Sequence, residues 1–173
     1  MAKDRRLEIR PFDEAGRASI VALADRLTIG MAPWRDADAC HAAVHRWVQA
    51  SMNRSAGDGM LLVATASPGS VFGFISIEVV THFSGEGEGY IGELVVDECA
   101  EGTGIGRMLV ARAERWAREQ GFRILTLETG AANERARGFY NRLGFREEGV
   151  RLTKVLDGPS ETAAGAASVL RDR

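Results

Sequence analysis

The sequence predicts an α/β (α+β) fold whose elements follow the order β-α-α-β-β-β-α-β-α-β. Three observations predict it: an apolar–polar alternation near the N-terminus, three strand-like apolar runs in the middle of the chain, and two later segments with helical spacing that each end at a glycine. The chain has 173 residues, of which 45% are hydrophobic and 27% are charged. That length and composition allow one domain with its own core, which we assign to residues 7–156.

The N-terminal part predicts one strand and two helices. Residues 7–10 alternate between apolar and polar side chains, as a half-buried strand does, and Pro11 ends the run. Residues 13–27 place their apolar side chains on one helical face. A second helix follows, and either Asp36 or Asp38 is suited to cap its first turn.

The middle of the chain predicts three strands. Residues 60–64 and 71–77 are rich in apolar side chains and are joined by a Ser-Pro-Gly-Ser turn, which indicates an antiparallel hairpin. Residues 90–96 form the next run, which is apolar enough for a central strand of the sheet.

The C-terminal part predicts helix, strand, helix and strand in turn. The first of these helices follows a glycine-rich turn, and Gly121 suits its C-terminal cap. Residues 123–128 predict a strand, Asn133 suits the N-cap of the next helix, and residues 145–154 predict a final strand. Residues 157–173 are rich in Gly, Ser and Ala and predict a flexible tail.

Charge and composition argue against several classes of protein. With 22 Lys and Arg against 24 Asp and Glu, the net charge is −2, so no nucleic-acid or membrane-surface partner is expected. No apolar run approaches the ~18 residues of a membrane-spanning helix, and the first residues lack the apolar core of a signal peptide. Cys40 and Cys99 are too few for a disulfide framework, so we expect reduced thiols and a cytoplasmic location.

Two histidines have the spacing of a candidate metal site. His41 and His45 stand four residues apart on the second predicted helix, a spacing that suits two ligands of one metal ion. The pair lacks the glutamate of an H-E-x-x-H motif and an obvious third ligand. We therefore expect surface histidines and no metal.

A glycine-rich turn separates the strand at 90–96 from the next helix. Its sequence is Glu101-Gly102-Thr103-Gly104-Ile105-Gly106. Glycine permits positive φ and the close approach of a ligand, and the free amides at a helix N-terminus attract anions. The turn is therefore predicted to bind a phosphate group. The alternative is a plain connection between strand and helix.

Two other phosphate-binding loops do not fit this turn. The Rossmann pattern G-x-G-x-x-G, counted from Gly102, lacks its third glycine. A nucleoside-triphosphate loop ends in Gly-Lys followed by Ser or Thr, whereas this chain has Gly106-Arg107-Met108.

Two segments together resemble the motifs of the GNAT family of N-acetyltransferases. Residues 101–106 resemble its motif A, Q/R-x-x-G-x-G/A, except that Glu101 stands where Gln or Arg is usual. Residues 133–145, NERARGFYNRLGF, resemble its motif B, N-x-x-A-x-x-F-Y-x-x-x-G-F. The resemblance implies a GNAT-type mixed, mostly antiparallel sheet flanked by helices. It also implies acetyl-CoA as co-substrate, attacked directly by an amine while both substrates are bound.

The resemblance also implies which residues contact coenzyme A. They come from the end of a strand, the glycine turn, the start of the following helix and motif B. These residues are Leu94, Val95, Val96, Gly102, Thr103, Gly104, Ile105, Gly106, Arg107, Asn133 and Tyr140.

Two residues are candidates for proton transfer. Glu93 directly precedes the implied CoA contacts and is the first candidate for the base that accepts the proton of the amine. A glutamate in a salt bridge is the alternative, and Glu78, His82 and Glu128 are weaker candidates for the base. Tyr140 matches the family's usual acid, which protonates the departing thiolate, and a core aromatic residue is the alternative there.

The resemblance therefore implies an N-acetyltransferase, an acyltransferase of the class that transfers groups other than aminoacyl groups. Its acceptor is expected to be the primary amine of a small molecule or peptide. Two alternatives stay open: a non-catalytic acyl-CoA-binding sensor or partner domain, which Glu101 favours, and a protein lysine or N-terminal acetyltransferase. The sequence allows a homodimer without requiring one.

Overall fold

A computed structural model describes residues 7–54 and 59–156 of the chain, so the predicted tail at 157–173 lies outside the described residues. One sheet contains five strands, which are β1 (Glu8–Pro11), β2 (Gly59–Ser67), β3 (Ser70–Thr81), β4 (Gly87–Val96) and β5 (Leu125–Leu127). The described residues contain four α-helices, which are α1 (Arg17–Leu23), α2 (Ala37–Asn53), α3 (Ile105–Glu119) and α4 (Glu134–Arg142). Short 3₁₀ segments occupy Glu14–Gly16, Ala24–Thr28 and Glu98–Ala100.

The sheet is mixed and mostly antiparallel, as predicted. Strands β1 to β4 pair in chain order, and each pair is antiparallel. Strand β5 is parallel to β4 and pairs only with Gly89, Tyr90 and Ile91. The predicted hairpin of β2 and β3 is confirmed.

Helices cover both faces of the sheet. On one face, α1 and α2 bury Ile20, Leu23 and Val48 against Phe74 and Val95 of the sheet. On the other face, α3 buries a stripe of apolar side chains against β2, β3 and β4. The stripe contains Ile105, Leu109, Val110, Ala113, Trp116 and Ala117. Side chains of α4 pack against the edge of this second core.

Capping residues set the ends of the helices. The Asp36 carboxylate accepts a hydrogen bond from the Ala39 amide at 2.7 Å, so Asp36 and not Asp38 caps α2. Gly121 has a φ of 83°, a left-handed conformation that ends α3 and favours glycine. The predicted first helix at 13–27 is divided, since only Arg17–Leu23 is α-helical and 3₁₀ turns flank it.

The prediction of a final strand at residues 145–154 is wrong. These residues are described, yet they form no strand. Val150 and Leu152 are 80% and 90% exposed, although their alternation with polar residues is typical of a strand. Alternation alone does not make a strand, because its backbone also needs a hydrogen-bonding partner. Across the described ranges, no helix combines the length and the apolar character needed to cross a bilayer.

Candidate active site

The second half of β4 has an open edge. On one side, Leu94 pairs with Ile75 of β3, and the pairing continues to Val96. On the other side, β5 reaches only as far as Ile91. No strand among the described residues therefore pairs with that side of residues 92–96. Such an edge presents free N–H and C=O groups to an extended ligand.

The glycine turn lies directly after this open edge. Gly102 and Gly104 have φ angles of 76° and 90°, which side chains rarely tolerate. A Cβ atom added to either would meet nothing within 4 Å, so the space in front of the turn is open. The backbone amides of residues 102–107 donate to no acceptor in the described part of the chain. The geometry of the turn is therefore compatible with binding of an anionic group.

Gly106 serves a different purpose from the two glycines before it. A Cβ atom there would lie 3.2 Å from Cζ of Phe139 and 3.6 Å from Cγ2 of Val96. The missing side chain lets α4 approach the start of α3 and the end of β4. The open edge, the glycine turn and motif B thus converge at one place.

Glu101, the departure from motif A, is paired with two arginines. Its Oε1 lies 2.5 Å from Nη2 of Arg26, and its Oε2 accepts a hydrogen bond from Nη2 of Arg135. The negative charge is therefore offset by two positive charges at the edge of the turn. Nothing in the local sequence signals this contact, since Arg26 lies 75 residues away.

A β-bulge directs Glu93 toward α2. Ile75 faces Leu94 and Ile77 faces Ile91, so two residues of β4, Gly92 and Glu93, lie opposite Ser76 alone. A Cβ atom on Gly92 would be only 2.9 Å from Oγ of Ser76, so the bulge requires glycine there. Bulges re-aim side chains next to active sites, and this one turns the Glu93 carboxylate inward.

Two serine hydroxyls hold the Glu93 carboxylate. Ser51 of α2 donates from Oγ to Oε2 of Glu93 at 2.9 Å. Ser76 donates to the same oxygen and accepts the Glu93 backbone amide at 2.9 Å. The residue is only 6% exposed. The position of the carboxylate is thus set by contacts from the helix and from the neighbouring strand.

The Glu93 carboxylate is held by hydroxyl groups, unlike the carboxylates of the other glutamates that are candidates for the base. No ion pair joins it to a Lys, Arg or His within residues 7–54 and 59–156, so the predicted salt-bridge alternative is not observed there. By contrast, Glu78 is paired with Arg54 at 2.7 Å. Glu128 is largely exposed and lies 3.7 Å from Arg151. A buried carboxylate held only by neutral hydroxyls suits a cationic ligand or a proton transfer.

Tyr140 lies on α4 with its ring packed among aromatic side chains. The ring meets those of Phe139 and Phe145 edge-on, with centroids at 5.2 and 5.6 Å. The residue is half-buried, and its hydroxyl has no hydrogen-bond partner in the described residues. The ring thus contributes to the core, while its hydroxyl is free to meet a ligand.

Burial of Tyr140 predicts a loss of stability in alkali. Burial raises the pKa of Tyr140 to about 12, compared with about 10 in an unfolded chain. Because the folded pKa is the higher one, this contribution is complete below about pH 10 and disappears as the pH rises toward about 12. We expect a loss of about 2–3 kcal/mol in the free energy of unfolding over that range.

Denaturant titration at a series of alkaline pH values measures that loss. Tyr140→Phe should flatten the pH dependence, whereas Tyr90→Phe should retain most of it. An equally steep decline in the Tyr140→Phe variant would contradict the assignment to this phenol.

Asn133 joins two loops at the site. Its Oδ1 accepts the Ala136 amide at 3.1 Å and caps α4, as predicted, while its Nδ2 donates to the carbonyl of Ile29 at 3.1 Å. A Cβ atom on Gly30 would lie 2.4 Å from Cβ of Asn133. The connection between α1 and α2 therefore packs tightly on the start of motif B.

His41 and His45 both contact the carboxylate of Asp25. Nδ1 of His41 and Nε2 of His45 lie 3.0 and 2.9 Å from Oδ1 of Asp25. Hydrogen bonds from His41 and then from His45 lower the pKa of Asp25. The described residues contain no group of three or more His, Cys, Asp or Glu side chains arranged to hold a metal ion.

Sequence reasoning missed the serines and arginines of the site. Ser51 and Ser76 are distant in sequence from Glu93, and both are ordinary residues in their own elements. One signal was available, because Gly92 interrupts an apolar strand and an isolated strand glycine indicates a bulge.

Comparison with known proteins identifies one family. The sequence model described as "Acetyltransferase (GNAT) family" matches residues 23–145. The match includes the open edge of β4, the glycine turn and motif B.

Two curated relatives match part of the chain. An uncharacterized N-acetyltransferase of Methanocaldococcus jannaschii is 43% identical over 60 residues, which are 35% of this chain and 26% of that protein. The aminoalkylphosphonate N-acetyltransferase of Salmonella typhimurium is 37% identical over 89 residues, which are 51% of this chain and 58% of that protein. The matches thus span about a quarter and just over half of the relatives' lengths.

A solved structure extends the similarity to the fold. An acetyltransferase of Trypanosoma brucei is 25% identical and superposes with a TM-score of 0.61. The match covers 87% of this chain and 100% of that one. The sheet and its flanking helices are therefore shared along nearly the whole described chain.

Proposed function

We propose that this chain, which belongs to the acetyltransferase (GNAT) family, is an N-acetyltransferase that moves an acetyl group from acetyl-CoA to a primary amine. The amine attacks the thioester directly in a complex that contains both substrates. The observation that carries the proposal is the buried carboxylate of Glu93, which lies beside the open edge of β4 and has no cationic partner within residues 7–54 and 59–156.

The binding of coenzyme A is assigned to backbone groups. The amides of residues 102–107 suit its pyrophosphate because they are unpaired and lie at the start of α3. The open edge at Leu94, Val95 and Val96 suits the pantetheine arm, which then lies alongside β4 as an added strand would. An amide of this edge is also suited to stabilise negative charge on the thioester oxygen.

Glu93 is assigned as the general base. An amine of the lysine type has a pKa near ~10.4 and is mostly protonated at neutral pH, so it must lose a proton before it attacks. Ser51 and Ser76 both donate to Oε2, which leaves Oε1 to accept that proton. The negative charge of the carboxylate also favours binding of the protonated amine.

Tyr140 is assigned as the acid that returns a proton to the CoA thiolate. Its hydroxyl is without a partner in the described residues, and a tyrosine is protonated at neutral pH and so has a proton to donate. Asn133 is proposed as a further contact to coenzyme A. One N–H of its Nδ2 donates to the carbonyl of Ile29, so the contact to coenzyme A would use the second N–H.

The acceptor is proposed to be a small molecule or peptide with a primary amine. One relative is named for acetylation of aminoalkylphosphonates, which are small amines. The non-catalytic alternative loses its main support, because the negative charge of Glu101 is offset by Arg26 and Arg135. A cytoplasmic location remains a prediction from the sequence.

A panel of amines tests the proposed activity. The purified protein is mixed with acetyl-CoA and each amine, and free thiol is measured together with the mass of the product. The panel contains aminoalkylphosphonates, amino sugars, polyamines, and peptides with a free lysine or a free N-terminus. We expect thiol release that depends on one class of amine. Binding of acetyl-CoA without release for every class would support the sensor instead.

The serines around Glu93 give a second expectation. Ser51→Ala and Ser76→Ala each remove one hydrogen bond to Oε2 and should lower kcat about tenfold, since a mispositioned base is less effective. Ser84→Ala, which alters an exposed serine bonded to His82, should leave kcat unchanged. Steady-state kinetics check the difference, and equal kcat values in all three variants would remove the positioning role.

A further inference from the structure

Three parts of the chain meet at the carboxylate of Glu101. Arg26 reaches it from the 3₁₀ segment after α1, and Arg135 reaches it from the first turn of α4. The carboxylate itself precedes the glycine turn and is 23% exposed. Each of its oxygens binds one guanidinium, so its acceptor capacity is shared between two arginines.

The Glu101 carboxylate binds more positive charge than the negative charge that it carries. Glu101 supplies one negative charge and the arginines supply two positive charges. Arg26 also lies 3.8 Å from Glu98, but that carboxylate is 84% exposed, which weakens its effect. The Arg135 side chain is 72% exposed and uses one nitrogen for Glu101. Its remaining N–H groups are free to bind an anion.

We propose that Glu101 is a positioning residue, which holds the guanidinium groups of Arg26 and Arg135 beside the glycine turn, where they bind the phosphate groups of coenzyme A. This inference rests on the proposed binding of acetyl-CoA. In this proposal Glu101, which stands where motif A has Gln or Arg, places the positive charge of two arginines at the turn. The acid strengthens the binding of an anion because it acts through the two arginines.

Simple electrostatics predicts the opposite effect. If Glu101 acted only through its own charge, its removal would strengthen the binding of coenzyme A, since an acid beside a phosphate is repulsive. If Glu101 positions the arginines, its removal weakens binding because the flexible guanidinium groups must then be ordered by the ligand. The direction of the change therefore separates the two accounts.

Calorimetric titration with coenzyme A measures that direction. We expect Kd to rise about tenfold in Glu101→Ala and in Arg135→Ala, which is the order expected for one charge-assisted hydrogen bond. In the double variant the two losses should be less than additive, because Glu101 acts through Arg135. Glu114→Ala is the matched control. It breaks an ion pair with Arg118 at 2.9 Å on α3, the helix that follows the turn.

Shorter ligands separate charge from packing. Pantetheine carries no phosphate, so the same variants should bind it as the wild type does. Dephospho-CoA keeps the pyrophosphate and lacks the 3′-phosphate. A loss of affinity that persists with dephospho-CoA assigns the arginines to the pyrophosphate, and a loss that vanishes assigns them to the 3′-phosphate.

Several outcomes would overturn the proposal. Even if Glu101→Ala does not fold, Arg135 is exposed and its alanine variant tests the arginine directly. The positioning role is contradicted if Glu101→Ala binds coenzyme A as tightly as the wild type or more tightly. It is also contradicted if Arg135→Ala binds coenzyme A as the wild type does. In both cases the proposed function stands. Equal weakening of pantetheine binding also contradicts the positioning role. If the wild type does not bind coenzyme A, this inference and the proposed function fail together.

Discussion

Glu93→Gln is expected to lower kcat/KM by about 10²–10⁴-fold, the usual contribution of a general base. Glutamine keeps the shape of the side chain and can still accept hydrogen bonds from Ser51 and Ser76. The variant should therefore fold normally, and loss of activity should reflect loss of the proton acceptor. The pH dependence of kcat/KM should also change shape, because the group that accepts the proton is absent.

Glu78→Gln is the matched control for this variant. Glu78→Gln removes the same charge as Glu93→Gln. Glu78 also has a similar place in the sheet, because it is on the neighbouring strand β3. Its carboxylate is engaged by Arg54 at 2.7 Å, which leaves it poorly placed to accept a proton. We expect less than a tenfold effect in the control. An equal kcat/KM profile for wild type and Glu93→Gln would remove the base assignment.

Gly104→Ala is expected to abolish most of the affinity for coenzyme A. Gly104 has a φ of 90°, and alanine in that left-handed conformation costs roughly 1–2 kcal/mol. The turn can relieve this strain by changing its backbone angles, which moves the amides away from the proposed position of the pyrophosphate. Because that site consists of backbone groups, we expect Kd for coenzyme A to rise by more than about tenfold.

Gly121→Ala controls for strain alone. Gly121 has a φ of 83° at the opposite end of α3, and a Cβ atom on either glycine would meet nothing within 4 Å. Both variants should lose similar stability in thermal unfolding, whereas only Gly104→Ala should lose affinity. If both variants bind coenzyme A as the wild type does, the turn is a connection and not a binding site.

Local patterns were sufficient to predict most of the fold. The hairpin of β2 and β3, the helix after the glycine turn, and the Asn133 cap each depend on residues close together in sequence. Such features follow from turn chemistry, periodicity and capping, which a sequence displays directly. The prediction of a strand at 145–154 was wrong because a strand also requires a partner strand to pair with. The sequence of the segment itself does not reveal whether such a partner is present.

The chemistry of the site was predicted less completely. Chain order and motif point to Glu93 and Tyr140 as candidates, which stay predictions, but the sequence does not reveal the face on which Glu93 lies. That face depends on a bulge opposite Ser76, and a shift of one residue reverses the direction of a strand side chain. The contact of Glu101 with Arg26 depends on the packing of distant segments, which local reasoning does not reach.

Amide hydrogen exchange, measured with and without coenzyme A, tests the central claim most directly. The claim is that the open edge of β4 and the glycine turn together bind this ligand through backbone groups. We predict that coenzyme A slows exchange at Leu94 and Val96, whose amides alternate with those that face β3, and at residues 102–107, while the C-terminal end of α3 is unaffected. Protection confined to other parts of the chain, or no change at any amide with saturating ligand, would contradict the claim.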